Sequence, residues 1–513
     1  MTDASATPWE ASRPDLAVGV VGTGAMGRGI MQVAALGGLS VIAYDAKAGA
    51  ADAAVAYVAQ MIGRLVDKGT VTKAAADAAV ARLAVAARLE DLAGCHLVVE
   101  AAAERLDVKR TIFAELDRLT PPSTILASNT SSLPITAIAA ATARPERVAG
   151  LHFFNPVPLM KLVEVVPGLR TAPWVTAALV TIARRMTREP IVCADSPGFV
   201  VNHIGRAYVP EAARIQSEGI ATHAEIDAIM TGAPGFRMGP FALLDLIGAD
   251  VSVSVMESLW SQFYAEPMYA TQPALRLRVD GGLYGQKTAA GWYGYEGGKR
   301  QEVALPVTPQ ARPRSVWIGG DDAGAGALAA LLQAAGVARA DEPETADVHM
   351  LALVGPCLAE ALDATPADPA RTVAVDMLFG PAGPRTLMIS PATDPAVRDK
   401  AHGALGADGT PVVVVNDSPG FVAQRIVAHI VNVGCQIAQR AIATPADIDT
   451  GARLGLSYPL GPLAFGDRLG ARRVLAILES LERFYREPRY RPSPWLKRRA
   501  LLDLPLTSPE RRA

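Results

Sequence analysis

Cysteine is scarce in this chain: four residues, Cys95, Cys193, Cys357 and Cys435, lie far apart over 513 positions with no C-x-x-C pair. In mostly apolar settings that spacing reads as buried reduced thiols rather than a disulfide framework or a thiolate metal centre, so no metal is expected. Charge of either sign is not in excess. A formal net charge of −2 gives no reason to expect nucleic acid or an anionic membrane as partner. Apolar runs long enough to span a bilayer are missing. The opening Met-Thr-Asp-Ala-Ser-Ala-Thr-Pro also lacks the basic start and apolar middle of a secretion signal, so the expected location is cytoplasmic. Aromatic residues make up only 5%, against abundant alanine, which points to closely packed helices and says nothing about chemistry.

What the chain does have is half its residues apolar, enough for several cores, and at 513 residues it is too long for one. The first organised stretch runs from Val18 to Asp45 and reads as strand, glycine turn, helix, strand. In Gly22-Thr-Gly-Ala-Met-Gly27 the first glycine permits the tight turn and Gly24 lets backbone approach a pyrophosphate. Gly27 lets the helix sit close on the strand, with free helix N–H groups facing the phosphates. Asp45, at the end of the second strand, can accept from both ribose hydroxyls and repels a 2′-phosphate, so NAD is the expected cofactor.

After Asp45 an Ala-rich amphipathic stretch, about residues 48 to 87, reads as a helical arm with Arg64, Lys68 and Lys73 on its polar positions. These bases suit either a solvated helix face or the phosphates of a substrate tail. Strands follow at 91–100, 124–132, 148–155 and 161–166. Alternation of strands with helices implies a mainly parallel sheet with ligands at the carboxyl ends of its strands. From Asp195-Ser-Pro-Gly-Phe-Val-Val-Asn202 to about residue 300 the pattern is helical.

The second half then repeats the first. Asp417-Ser-Pro-Gly-Phe421 matches Asp195-Ser-Pro-Gly-Phe199, Asp447-Ile-Asp449 matches Glu225-Ile-Asp227, Gly461-Pro462 matches Gly239-Pro240, and Asp467 matches Asp245, all at one offset. Ser315–Gly324 aligns with Val18–Gly27, so 312–410 reads as a shortened sheet domain. There Asp321 replaces the second fingerprint glycine and should defeat dinucleotide binding. The expected architecture is an α/β Rossmann-like NAD-binding domain plus an all-α domain, followed by a degenerate second copy of both. The expected boundaries are 1–194, 195–310, 311–410 and 411–513.

Among seven histidines His152 is the informative one. It ends a strand inside Leu-His-Phe-Phe-Asn-Pro, with Glu164 on the next strand. Oxidising a secondary alcohol with NAD needs a base for the hydroxyl proton, and an imidazole oriented by a carboxylate suits that step. The residues alone equally admit a satisfied core histidine. Ser131 and Asn202 could bind a substrate oxygen, or could serve as a loop or cap residue and a helix-start residue.

Gly22-Thr-Gly-Ala-Met-Gly27, Ser128-Asn-Thr-Ser-Ser132, His152-Phe-Phe-Asn-Pro156, Lys161-Leu-Val-Glu-Val165 and Ser196-Pro-Gly-Phe-Val-Val-Asn202 together resemble the motif series of the NAD-dependent 3-hydroxyacyl-CoA dehydrogenases. The long form, ending in Glu487-Pro-Arg-Tyr-Arg-Pro492, is similar to the bacterial branch of phenylacetate catabolism that oxidises 3-hydroxyadipyl-CoA. The resemblance implies oxidation of an (S)-3-hydroxyacyl-CoA to the 3-oxoacyl-CoA, as in that branch or in fatty-acid β-oxidation of 3-hydroxybutyryl-CoA. His152 is then the base, Glu164 its partner, and Ser131 and Asn202 bind substrate oxygens. It also places Asp45, Glu104, Lys109, Ser131, Asn155 and Lys287 at NAD-contacting positions and Lys68 near a CoA-contacting one. In the second copy Gln424 stands for Asn202, no His-Phe-Phe-Asn-Pro strand precedes residue 411, and Met388 is expected at the Glu164 position. Single-copy relatives dimerise through the helical domain. The implied arrangement here is an intramolecular pseudo-dimer of 196–300 with 411–500, with a further homo-oligomer possible. A β-hydroxyacid dehydrogenase with a catalytic lysine and a non-catalytic NAD-binding relative are the rival readings, and the His152/Glu164 pair argues against both.

Overall fold

The computed structural model describes residues 10–510. It divides into two compact units, one formed by the chain up to His203 together with Arg440–Leu456, the other by Ile204–Gln439 and Ser457 onward.

The first unit is built on eight strands: β1 (Ala17–Val21), β2 (Ser40–Tyr44), β3 (Leu83–Val85), β4 (Leu97–Glu100), β5 (Ile125–Ser128), β6 (Val148–Phe153), β7 (Leu162–Pro167) and β8 (Glu189–Val192). They lie in the order β3-β2-β1-β4-β5-β6-β7-β8, all parallel except the β6–β7 pair. Every residue of β4, β5 and β6 is buried, as expected of strands covered on both faces. Helices Ala25–Leu36 and Pro173–Arg185 supply much of the cover, burying Ile30, Met31, Val33, Leu179 and Ile182 in a core with Val18, Val20, Val41 and Val99. The expected helical arm is two helices, Ala50–Asp67 and Lys73–Val80, followed by the edge strand β3. The break falls at Gly69, whose φ of 67° ends the first helix, and Thr72 then caps the second through Ala75 N. Helix Pro445–Gly455, from the far end of the sequence, also belongs to this unit and packs on β7 and β8.

The second unit holds a small hairpin, β9 (Tyr295–Glu296) with β10 (Lys299–Arg300), and a six-stranded sheet. That sheet comprises β11 (Ser315–Gly320), β12 (Ala338–Arg339), β13 (Val348–Ala352), β14 (Thr372–Asp376), β15 (Arg385–Ile389) and β16 (Val412–Asn416), in the order β12-β11-β13-β14-β15-β16. Only β14–β15 is antiparallel, which matches β14 to β6 and β15 to β7. The copy therefore lacks counterparts of β3 and β5, and with β5 it has lost the polar loop that follows it.

The helices of this unit are placed by the repeated aspartates. Asp227 accepts from Phe241 N and Ala242 N, both 2.9 Å, and so fixes the start of helix Pro240–Ile247. Asp245 takes Trp292 N and Tyr293 N at 3.0 and 2.9 Å. Its match Asp467 takes Leu506 N and Thr507 N at 2.5 and 3.2 Å. In both copies a carboxylate ties the chain beyond the helices back to the bundle. Among the described residues no helix is long and apolar enough to cross a membrane, and no cluster of residues could hold a metal ion.

Candidate active site

The antiparallel β6–β7 pair sets His152 directly opposite Glu164. Paired residues share a sheet face, so the two side chains meet: His152 Nδ1 lies 2.7 Å from Glu164 Oε2. A carboxylate can only accept here, so Nδ1 carries a proton, and in the neutral ring Nε2 keeps its lone pair. The other oxygen, Oε1, accepts from Val200 N at 3.0 Å and Val201 N at 2.9 Å. Glu164 is fully buried and His152 is 5% exposed, its ring 4.4 Å from that of Phe154 and 5.8 Å from that of Phe199. The result is an imidazole with one nitrogen clamped and the other available.

Beside the dyad, Asn202 Nδ2 donates to Ser131 O at 3.3 Å, which brings the two expected oxygen-binding residues together. The Ser131 loop is itself held by Glu104. Its Oε1 accepts from Thr130 Oγ1 at 2.6 Å and from the backbone nitrogens of Ser131 and Ser132 at 2.9 and 3.2 Å. Burial alone would raise the Glu104 carboxyl, but the Thr130 hydrogen bond and the Lys109 charge hold it below the usual carboxylate range. Lys109 is 1% exposed, with its ammonium 2.7 Å from Glu100 and 3.3 Å from Glu104. Its direct partners are therefore these two carboxylates, the second of which also holds the Ser131 loop. Lys287 belongs to the second unit, where it pairs with Asp250 and lies 5.1 Å over the Tyr284 ring. Asn155, just past β6, is exposed.

The glycine turn fits a dinucleotide. Gly22 has φ 91°, and a β-carbon there would stand 2.8 Å from the Ala101 backbone. One on Gly27 would collide with Gly22 O. A β-carbon on Gly24 would meet nothing within 4 Å, so space is open beside the start of helix Ala25–Leu36, which no side chain caps. Asp45 Oδ2 accepts from Thr23 N and Oγ1 at 2.7 and 2.8 Å, tying the strand-end acid to the turn. Burial opposes ionisation of Asp45, yet the Thr23 and Lys47 amides keep its carboxyl below the ordinary value. Asn155, Arg28, Tyr57, Arg64 and Lys68 line a nearby cleft of about 370 Å³ with an apolar wall of Met61, Leu65 and Val157. Arg28 stacks 4.4 Å over Tyr57.

The second copy has none of this. The left-handed glycine is Gly320, at φ 103°, not Gly319, so its turn is one residue shorter than the sequence alignment implies. Asp321 then caps helix Asp322–Ala334 by accepting from Gly324 N at 3.0 Å, which fills the anion position with the chain's own carboxylate. Sheet register also corrects the expectation for Met388. Glu164 pairs with Ile191 and Thr386 with Val413, each four residues before the matched aspartates Asp195 and Asp417, so the Glu164 position is Thr386. Its antiparallel partner, at the His152 position, is Asp376. The count from the sequence landed two residues late, on the same sheet face, although the constant offset that carries Asp195 onto Asp417 also carries Glu164 onto Thr386.

Two domain models match the chain: 3-hydroxyacyl-CoA dehydrogenase, NAD binding domain, over residues 17–196, and 3-hydroxyacyl-CoA dehydrogenase, C-terminal domain, over 198–295 and again over 420–505. The 3-hydroxyadipyl-CoA dehydrogenase of Escherichia coli K12 is 39% identical over 490 residues, covering 95% of this chain and 98% of that one. The chain belongs to the 3-hydroxyacyl-CoA dehydrogenase family. It is an NAD-dependent oxidoreductase of hydroxyacyl-CoA substrates. The crystal structure of 3-hydroxybutyryl-CoA dehydrogenase from Escherichia coli K12 superposes with a TM-score of 0.83 at 36% identity, over 95% of this chain and 98% of that one. A probable 3-hydroxybutyryl-CoA dehydrogenase of Bacillus subtilis is 42% identical over 277 residues, which is 54% of this dehydrogenase but 96% of the relative. One sheet domain and one helical domain therefore account for the shorter relative, and the second half of this dehydrogenase is an addition to it.

Sequence reasoning missed the Val200 and Val201 amides, because any non-proline residue supplies an N–H. It also missed Arg28 and Tyr57 beside Lys68, which only the packing of two helices brings together.

Proposed function

We propose that His152 is the base that removes the C3 hydroxyl proton at Nε2, and that Glu164 fixes the productive tautomer and stabilises the imidazolium that forms. The observation that carries this reading is the 2.7 Å contact between two buried groups whose other ends are a free ring nitrogen and a doubly amide-held oxygen. Bound NAD supplies the hydride acceptor. Asn202 and Ser131 receive the substrate oxygen, and Gly22, Gly24, Gly27, Asp45 and the loop held by Glu104 and Lys109 receive the cofactor. Asn155 and Lys287 are assigned to the cofactor on family position alone.

The cleft of Arg28, Arg64 and Lys68 is assigned to the phosphates of the CoA moiety, since three cations over an apolar wall suit a polyanion with a pantetheine arm. The substrate is assigned as a 3-hydroxyacyl-CoA with an ω-carboxylate, on the strength of the full-length relative named 3-hydroxyadipyl-CoA dehydrogenase. Measuring NADH formation with 3-hydroxyadipyl-CoA and 3-hydroxybutyryl-CoA tests this. The first should be used with at least tenfold higher kcat/KM, and equal or reversed values would reject the assignment.

We infer further that the two helical copies form an intramolecular pseudo-dimer. Ala194 N donates to Ile442 O at 2.7 Å and Asn416 N to Ile220 O at 3.0 Å, and these two contacts are related by the same offset as the sequence repeat. In the second unit Tyr490 Oη reaches Glu211 at 2.7 Å while its counterpart Tyr269 reaches Gln436 at 3.3 Å, again an exchange between copies. Tethering raises the effective concentration of one copy at the other to roughly millimolar, which favours pairing within the chain.

A further inference from the structure

Helix Pro445–Gly455 lies in the half of the chain where Asp376 and Thr386 stand at the His152 and Glu164 positions, yet it forms part of the unit that holds His152 and Glu164. Two of its residues, one turn apart, face the peptide that clamps the catalytic carboxylate. A β-carbon on Gly451 would come within 3.0 Å of Ile191 Cδ1 and of Val200 Cγ1. One on Gly455 would stand 2.9 Å from both methyls of Val201 and 3.0 Å from Leu162 Cδ2. Val200 and Val201 are the residues whose amides donate to Glu164 Oε1. Leu162 sits on Glu164's own strand β7, and Ile191 on the neighbouring β8, where it pairs with Glu164. The segment leading into the helix is anchored to the same wall, since Ala194 N donates to Ile442 O and Cys193 bridges Ala443.

We propose that Gly451 and Gly455 are positioning residues for the dehydrogenase reaction. By letting the helix close against Val200 and Val201 they hold the two amides on Glu164, and through Glu164 they hold the His152 ring. The second copy then completes the working site in cis. The matching residues of the first copy are Ile229 and Ala233, so the helix has its two glycines only where it backs a carboxylate that matters. Gly451 lies in the helix interior, where glycine is unfavourable relative to alanine, and Gly455 ends the helix; their one-turn spacing on the contact face is explained by the close approach they permit. The proposal rests on the assignment of His152 and Glu164 made above.

The test is a cycle in the full-length chain. Gly455→Val should lower kcat about tenfold with the KM for NAD unchanged, because the turn and Asp45 are untouched. In a Glu164→Gln background the same substitution should change kcat by less than about twofold, since the carboxylate it acts through is already gone. Gly451→Ala and Gly455→Ala, which add one carbon each, should give smaller losses of the same kind and keep the test decisive if the valine variant fails to fold. Gly455→Val paired with Val201→Ala should recover turnover. Arg453→Ala, on the exposed side of the helix, should have no effect. Unchanged kcat in the glycine variants, or an equal loss in both backgrounds, overturns the proposal while leaving the dyad in place. Full turnover by Glu164→Gln alone overturns the dyad assignment and the proposal with it.

Discussion

In the first sheet the β6–β7 pair presents His152 to Glu164, and in the second the matching β14–β15 pair presents Asp376 to Thr386. Where Asn202 reaches toward the Ser131 loop, Gln424 is fully buried. Its amide bonds Leu353 O and Asp376 Oδ1, both 2.9 Å, and accepts from Gly355 N. Where a glycine turn leaves a helix start open for phosphate, Asp321 closes it. The capping aspartates are nevertheless kept: Asp195 takes Ile135 N and Thr136 N, and Asp417 takes Leu358 N and Ala359 N. A site can thus fill with its own side chains while the hydrogen bonds that join sheet to helices stay as they were. The polar residues proposed to do chemistry and those that build the fold are separable in this chain.

The largest expected effect breaks the working half. His152→Ala should lower kcat by about 10²–10⁴-fold, the range for a positioned base, with NAD affinity within a few-fold of the parent. The same change at the matching position, Asp376→Ala, should leave kcat untouched. Steady-state kinetics and NAD titration of the two variants settle it, and a His152→Ala enzyme with near-parental kcat would remove His152 from the mechanism. Glu164→Gln should be slow as well, and the double variant should lose far less than the product of the single losses.

The next effect concerns a charge present in one copy only. Glu211 is fully buried and pairs with Arg425 at 2.7 Å and with Arg489 at 3.5 Å, while the residues matching Glu211 and Arg489 are Val433 and Met268. Burial opposes ionisation of Glu211, but the two guanidinium charges hold its carboxyl well below the usual range. Arg425→Met leaves that carboxylate short of a partner and should cost on the order of 3–5 kcal/mol in urea denaturation. A loss below about 1 kcal/mol would mean that this network contributes little to stability and would count against the proposed pairing of the copies.

How far the sequence foretold these sites depended on whether the signal was local. The glycine turn, the strand-end Asp45 and the His152/Glu164 pairing follow from spacing along one or two strands, and the structure places them together. The duplicated aspartates were equally legible, because a cap needs a fixed residue type at a fixed position. The Thr386 position was legible too, since the constant offset of the repeat reaches it from Glu164, but a two-residue miscount to Met388 keeps the same sheet face and the same apolar pattern and so passes undetected. The backing of Glu164 by helix Pro445–Gly455 was illegible for a different reason: it joins segments some 250 residues apart through glycines that carry no chemistry of their own. Lys109 illustrates a third limit. Its position in the chain matched a cofactor contact, and only the fold shows its ammonium enclosed by Glu100 and Glu104.

A third prediction sharpens the comparison from the silent side. Burial raises the Asp376 carboxyl to about 6, a shift the Gln424 hydrogen bond only partly offsets. Its folded value lies above its unfolded one, so its contribution to stability is full below pH 4 and is lost as pH rises toward 6. Asp376→Asn keeps an acceptor for Gln424 and Leu378 without the charge. The variant should match the parent near pH 4 and exceed it above pH 6 by up to about 3 kcal/mol. A stability difference that does not change over that interval would show that Asp376 is not buried as placed.

The smallest effect tests which carboxylate in the two turns faces a ligand. Asp45 and Asp321 both bond backbone amides of a strand–helix turn, but Asp45 sits at the end of the neighbouring strand β2 and Asp321 on the helix start itself. From β2 a carboxylate can hold Thr23 with one oxygen and still offer acceptors to a ribose, whereas from the helix start it occupies the phosphate position. Asp45→Ala should therefore weaken NAD about tenfold and raise the NADP-to-NAD ratio of kcat/KM by a similar factor, through loss of an acceptor and of a charge that repels the 2′-phosphate. Asp45→Asn removes the charge but keeps an acceptor for Thr23, so it should shift the ratio while costing NAD affinity less. Asp321→Ala should change neither quantity. A ratio that stays put in both Asp45 variants would place the ribose elsewhere, and a response to Asp321→Ala would mean that the second turn still meets the cofactor.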